Sequence, residues 1–304
     1  MPCKTVIGGL FLLAFSLGVT VLARAAGPQG APAQAPLVIG VLPEQDLFEQ
    51  LRRYRPLADI LSRRVGRGIE LKVLPRYGNI VGSFQQGKLD GAFFGSFTYV
   101  LSQQKLGLRV LARPESPDGT STYHGLLVVR ADSGIRGPAD MRGGVFAFVD
   151  QATTAGYLFP LAYFKEHGVV DYPTHFRETY FAGTHEGVVA DVLDRKADAG
   201  ALKNTVFRRF VSANPEAAQE LEILAWSPPV PENALAVRAD LDPALTDRLR
   251  NALLLLHEDE EGVAVLRRFG AARFIPTTDD DYAAVSAYAK TAGLDLATYD
   301  YINR

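Results

Sequence analysis

The chain has 304 residues, of which 47% are hydrophobic and 22% charged, a formal charge of −2 and one cysteine, Cys3. A near-neutral, slightly acidic balance gives no polyanion-binding surface and so no nucleic-acid partner. A single cysteine ahead of the first apolar run leaves the folded part without a disulfide, a thiolate nucleophile or a cysteine-ligated metal, so its stability must come from packing.

The first element is a leader. Lys4, an uncharged apolar run from Val6 to Leu22 and the small-residue site Ala23-Arg24-Ala25 make residues 1–25 a secretory signal peptide, which places the mature chain in the periplasm. The run is long for a signal, so an uncleaved membrane anchor is the alternative. Cys3 precedes the run and cannot carry a lipid. Residues 26–36, in which Gly27 to Pro36 read GPQGAPAQAP, have the composition of a flexible linker.

From Leu37 short β-branched runs alternate with longer segments of helical period, the pattern of an α/β fold with a largely parallel sheet. Strand LVIGVL leads to a helix over about Asp46 to Val65, with Leu47, Leu51, Tyr54, Leu57, Ile60 and Leu61 on one side. Strand IELKVL, the loop Pro75 to Asn79, a helix near Ile80 to Gln86, strand GAFFG and a helix opening near Ser96 follow. The middle repeats this construction: LLVVR, a turn at Ser133 to Gly137, VFAFV, the loop Asp150 to Gly156, a helix to about His167, ETYFA, the turn Gly183-Thr184-His185, a helix to about Leu193 and ADAGAL. The end is helical to near Arg268, then closes with a helix over Asp279 to Ala292 and the aromatic pair Tyr299 and Tyr301.

Two short echoes divide the chain. Lys88 to Ala92 (KLDGA) resembles Lys196 to Gly200 (KADAG), and the tetrapeptide VRAD recurs at Val129 and Val237, where the chain is expected to cross between lobes. The first lobe is then discontinuous, residues 37–127 plus 234–304, around a second lobe and hinge segments at 128–233. Pro228, Pro229 and Pro231 stiffen one crossing.

Three hydroxyl-bearing segments, Ser96-Phe97-Thr98, Thr153-Thr154 and Thr184-His185, sit where a strand ends and a helix begins. Free N–H groups and the positive end of the helix dipole attract anions there, although ordinary N-capping explains any one of the three alone. Tyr77 and Tyr123 lie in predicted loops where phenols can donate to an oxyanion. His185 is either a further donor or a satisfied surface histidine. His124, His167, His175 and His257 lack metal-ligand spacing, so neither a metal nor a cofactor is expected. Gly82 to Lys88 nearly fits a phosphate loop, but Leu89 stands where a magnesium-holding hydroxyl is needed, and no nucleophile elbow is present. A non-enzymatic binding protein is the expectation.

The segments LPEQDLFEQLRRYRPLADIL, PRYGNI, YHGLLVVR, FVDQATTAGYLFP, FAGTHEGVV, KADAGALKN and VPENALAVR, in that order, make the chain from Leu37 onward resemble the phosphate/phosphite/phosphonate-binding periplasmic proteins of ABC importers. The resemblance implies the two-lobed type 2 periplasmic-binding fold, each lobe a mixed, mostly parallel sheet flanked by helices, with two hinge crossings. It implies capture of a phosphorus oxyanion by Tyr77, Ser96, Tyr123, Thr153, Thr154 and His185, and delivery by a monomer to a membrane permease with its ATPase. Asn233 corresponds to an acidic residue that faces the amine in aminoalkylphosphonate binders. Two departures stand out: Ala155 lacks a third hydroxyl, and Asn233 is neutral. A buried ammonium without a counter-charge is costly, so 2-aminoethylphosphonate is expected to bind worse than an amine-free ligand. The alternatives are an exported sensing subunit for a membrane histidine kinase and an enzyme on the same fold, as in thiamine-pyrimidine synthesis, though such enzymes lean on cysteine and a cytoplasmic location.

Overall fold

The computed structural model describes residues 1–4 and 34–301; residues 5–33, which hold the expected signal run and most of the linker, lie outside the described residues. The linker is anchored by its last residues, where Arg67 Nε donates to the Ala35 carbonyl at 2.8 Å. In chain order, β1 (Leu37–Val41), α1 (Leu47–Val65), β2 (Ile69–Val73), α2 (Asn79–Gln85), β3 (Gly91–Phe94), α3 (Ser96–Leu106) and β4 (Arg109–Glu115) come first. Then come β5 (Thr122–Tyr123), β6 (Gly125–Arg130), β7 (Val145–Phe148), a π-helical turn (Thr154–Leu158), α4 (Phe159–Glu166), α5 (Tyr172–His175), β8 (Glu178–Phe181), α6 (His185–Leu193), β9 (Ala199–Lys203), α7 (Asn204–Ala213), α8 (Ala217–Glu220) and β10 (Leu221–Trp226). The chain closes with β11 (Val230–Pro231), β12 (Ala234–Val237), α9 (Pro243–Leu254), α10 (Glu260–Phe269), β13 (Arg273–Pro276) and α11 (Ala283–Thr291).

These strands form a six-stranded sheet, β13-β4-β12-β3-β1-β2, a five-stranded sheet, β10-β6-β9-β7-β8, and a two-stranded ribbon of β11 with β5. Parallel pairing joins β1 to β2 and β3, and β7 to β8 and β9, where helices cross between strands. The remaining pairs are antiparallel: β6 with β9 and β10, β12 with β3 and β4, β13 with β4, and β5 with β11. The parallel share is therefore smaller than the alternation of strands and helices suggests.

All of β6, from Gly125, pairs inside the five-stranded sheet, and β12 lies wholly in the six-stranded one. The chain changes sheets through the ribbon, at Thr122–Tyr123 and Val230–Pro231, and not at the two VRAD segments, which end β6 and β12. Trp226 ends β10 just before the second passage, half exposed, with its ring 5.7 Å from that of His124.

Helix α1 shows how sequence sets an element beside the site. The Asp46 side chain accepts from the Phe48 and Glu49 amides, and Gly66 ends the helix at φ 70°. Tyr54, Leu57, Ile60 and Leu61 are buried against the six-stranded sheet, with Tyr54 edge-on to Phe93 at 5.1 Å. Leu47, expected on the same side, is 46% exposed, so the buried stripe of α1 starts after its first residue. The capping loop before it carries Glu44, which the folded chain buries.

Candidate functional site

The two sheets meet along loops at the carboxyl ends of their strands. His185 N donates to the Glu44 carbonyl at 3.0 Å, Thr98 Oγ1 to the Ala152 carbonyl at 2.7 Å, and the Phe97 amide to Thr154 Oγ1 at 2.9 Å. The start of α3, the π-helical turn and the start of α6 are thereby drawn around one buried polar region. Gly156 makes the turn possible: a Cβ there would overlap the Val149 side chain, and only a bare backbone lets the turn fold onto the end of β7.

Tyr77 is 3% exposed, and its hydroxyl is buried without a hydrogen-bond partner. Its ring stands edge-on to His185, with centroids 6.2 Å apart. His185 opens α6; its Nδ1 accepts from the Lys203 amide at 3.1 Å, so the neutral ring carries its proton on Nε2. Burial lowers the imidazole from 6.5 to about 3, against the pull of the Glu44 carboxylate, so the ring is neutral at physiological pH. Burial also raises Tyr77 well above the usual phenol range and raises Tyr123, which keeps both phenols protonated as donors.

Tyr123, on the ribbon, has the hydroxyls of Ser96 and Thr154 as neighbours. Ser96 is fully buried, and its Oγ donates to the Pro231 carbonyl on the opposite ribbon strand at 2.5 Å. Thr154 Oγ1 takes the second amide of α3, as described above. Asn233 Nδ2 donates to Glu44 Oε1 at 2.8 Å, and its Oδ1 accepts from Lys203 Nζ at 3.0 Å. Six of the seven residues singled out from sequence thus lie in one buried network.

Thr153 does not join them. Its Oγ1 donates to the Asp150 carbonyl at 2.7 Å, so the hydroxyl is spent inside its own loop. Thr184 likewise is an ordinary cap, accepting from the Gly187 amide at 2.9 Å, which leaves His185 as the residue that this helix start contributes to the network.

Sequence reasoning missed three charged residues. Lys203 ends β9 with its side chain 4% exposed and places Nζ 3.3 Å from Glu44 Oε1 and 2.5 Å from Glu232 Oε2. Its ammonium also lies 4.3 Å over the Tyr123 ring. Burial opposes the charge on Glu44, but Lys203, His185 and Arg209 outweigh it and hold the carboxyl down at about 2. Burial likewise opposes the Lys203 charge, yet Glu232 and Glu44 raise its pKa, so both ions persist. The place of Asn233 is therefore not short of carboxylate, as its own neutrality suggests; Glu44 and Glu232 flank it. The one available signal was a lysine closing the otherwise apolar strand AGALK. Beside this cluster opens a groove of about 740 Å³, rimmed by Arg53, Arg208, Arg209 and Arg268.

Among the described residues no group of three or more His, Cys, Asp or Glu side chains is placed to hold a metal ion, and no helix is long and apolar enough to cross a membrane.

Comparison with known proteins gives consistent matches. A family model described as the periplasmic substrate-binding protein of phosphonate ABC transporters matches residues 39–282. The phosphonates-binding periplasmic protein of Escherichia coli is 24% identical over 284 residues, covering 92% of this chain and 82% of that one. The phosphate-import protein PhnD of Mycolicibacterium smegmatis is 26% identical over 292 residues, covering 88% of this chain and 89% of its own. Among solved structures, a binding-protein component of a Pseudomonas aeruginosa phosphonate ABC transporter superposes with a TM-score of 0.80 at 22% identity, covering 86% of this chain and 87% of that one. PhnD1 of Prochlorococcus marinus, solved with methylphosphonate, gives 0.76 at 22% identity, covering 84% of this chain and 98% of that one.

Proposed function

Because the chain belongs to the family of periplasmic phosphonate-binding proteins of ABC transporters, we propose that it captures a phosphorus oxyanion, namely phosphonate, phosphite or phosphate, and presents it to a membrane permease. The observation that carries this reading is the unpartnered hydroxyl of Tyr77, buried beside the neutral imidazole of His185. Buried polar groups are rarely left unmade, and a donor held in place by packing invites an acceptor. An oxyanion supplies acceptors in several directions, and Tyr77, Tyr123, Ser96, Thr154 and the start of α3 surround the same region.

In this reading the six-stranded sheet with its helices forms one lobe and the five-stranded sheet with its helices the other, and closure about the ribbon β5/β11 brings Tyr77 and Ser96 against Thr154 and His185. Binding energy that is larger in the closed form draws the lobes together. The site binds and releases its ligand without making or breaking a covalent bond. Names carried by relatives support the ligand class: one is a phosphonates-binding protein, one a phosphate-import protein and one was solved with methylphosphonate.

A thermal-shift panel on dialysed protein tests it, with phosphate, phosphite, methylphosphonate and sulfate as ligands. A ligand at one hundred times its Kd adds about 2.7 kcal/mol, expected to raise the midpoint by roughly 5 to 10 °C. One phosphorus oxyanion should give that shift, and Thr154→Val and His185→Ala should reduce it. No shift with any phosphorus oxyanion, or an equal shift with sulfate, would overturn the reading.

A further inference from the structure

The ammonium of Lys203 has three N–H bonds and three acceptors: Glu44 Oε1 at 3.3 Å, Glu232 Oε2 at 2.5 Å and Asn233 Oδ1 at 3.0 Å. Those acceptors come from the loop before α1 and from the second passage between the sheets, and Lys203 comes from the end of β9. The chain has thus built a buried seat for one ammonium ion out of two distant segments and filled it with a side chain from a third. The seat adjoins the anion site directly, because the same ammonium lies 4.3 Å over the ring of Tyr123, whose hydroxyl neighbours Ser96 and Thr154.

The charges around this seat are already balanced. Glu44 and Glu232 supply two negative charges, and Lys203 with the buried guanidinium of Arg209 supplies two positive ones. Beyond it, Arg53, Arg208 and Arg268 line the open groove, against the one further carboxylate of Asp118, which is paired with Arg208 at 4.0 Å. A second cation brought in on a ligand would meet an occupied seat and a cationic rim, with no unbalanced carboxylate to receive it. Displacing Lys203 would strand a buried ion, which is costly.

Resting on the oxyanion reading above, we infer that Lys203 is the residue that sets ligand specificity. It is a tethered ammonium that occupies the place where a cationic tail on a phosphonate would sit, and it restricts the pocket to phosphorus oxyanions without an amine. This reassigns the discrimination expected from Asn233. The exclusion comes from a seat already taken, not from a missing carboxylate.

Calorimetry on the full mature protein tests the inference, with methylphosphonate and 2-aminoethylphosphonate as probes and phosphite and phosphate alongside. The wild type should bind methylphosphonate at least tenfold more tightly than 2-aminoethylphosphonate. Lys203→Ala vacates the seat and leaves both carboxylates, so it should shift the ratio toward 2-aminoethylphosphonate by at least tenfold. Lys203→Met removes the same charge but fills the space, and should not produce that gain. An unchanged ratio in Lys203→Ala, or an equal gain in Lys203→Met, would overturn the role given to the occupied seat. Should neither variant fold, the wild-type ratio still decides: equal or tighter binding of 2-aminoethylphosphonate overturns the inference while leaving the oxyanion reading standing. Failure of the wild type to bind any of the four probes would remove both.

Discussion

Replacing Tyr77 by Phe is expected to weaken oxyanion binding by about 10- to 100-fold, the loss of one hydrogen bond to a charged acceptor, while leaving the melting midpoint of ligand-free protein unchanged or slightly raised. The two readouts move in different directions because the hydroxyl serves binding and not packing. The ring is buried and edge-on to His185, which Phe preserves, whereas the hydroxyl is buried without a partner. Removing an unsatisfied buried group relieves a desolvation cost of about 1 to 3 kcal/mol, or less where water can reach it in the open form. Calorimetry for affinity and a melting curve without ligand check both halves. Lower stability with unchanged affinity would make Tyr77 a core residue only.

Acid should destabilise the ligand-free protein well before ordinary carboxylates titrate, and His185 is the first cause. Its folded pKa is depressed from 6.5 to about 3, so below 6.5 the unfolded chain takes up a proton that the native chain refuses. The stability it contributes is complete above the unfolded value and is lost as pH falls toward 3, amounting to about 2 kcal/mol at pH 5. Glu44, held at about 2 against 4.5, adds a second loss of the same sign between those two values. Midpoints measured from pH 7.5 to 5 should fall by roughly 4 to 8 °C. His185→Gln, which cannot take up the proton, should flatten this limb. A wild-type midpoint that stays level across the range would contradict a buried neutral His185.

Much of this arrangement is legible in the sequence, and the exceptions share one cause. Apolar period and glycine punctuation gave β1, α1, β3, β7 and β9 because these elements bury one side against a sheet, whatever its partner strands. Tyr77, Thr154 and His185 were found because strands in such folds deliver their loops to a common edge. Between the neighbours Thr153 and Thr154, however, only the π-helical turn decides which hydroxyl meets the start of α3, and its dependence on the space beside Gly156 is tertiary. Lys203 and Glu232 are hidden for a stronger reason. A charged residue at a strand end ordinarily faces water, and the burial of this lysine depends on carboxylates 159 and 29 residues away along the chain. The repeated tetrapeptide VRAD misled about the crossings because it marks where strands stop, not where the backbone changes sheets.

Trp226 gives the molecule an internal optical gauge. It is the chain's single tryptophan, placed at the last residue of β10 beside the second passage between the sheets, half in water and against the His124 ring. Any rotation of one sheet relative to the other bends the backbone next to this indole and alters its solvent shell and its contact with a quenching imidazole. Emission collected from unlabelled protein is therefore expected to follow the proposed closure in real time, so that stopped-flow records of capture and release would require no attached dye.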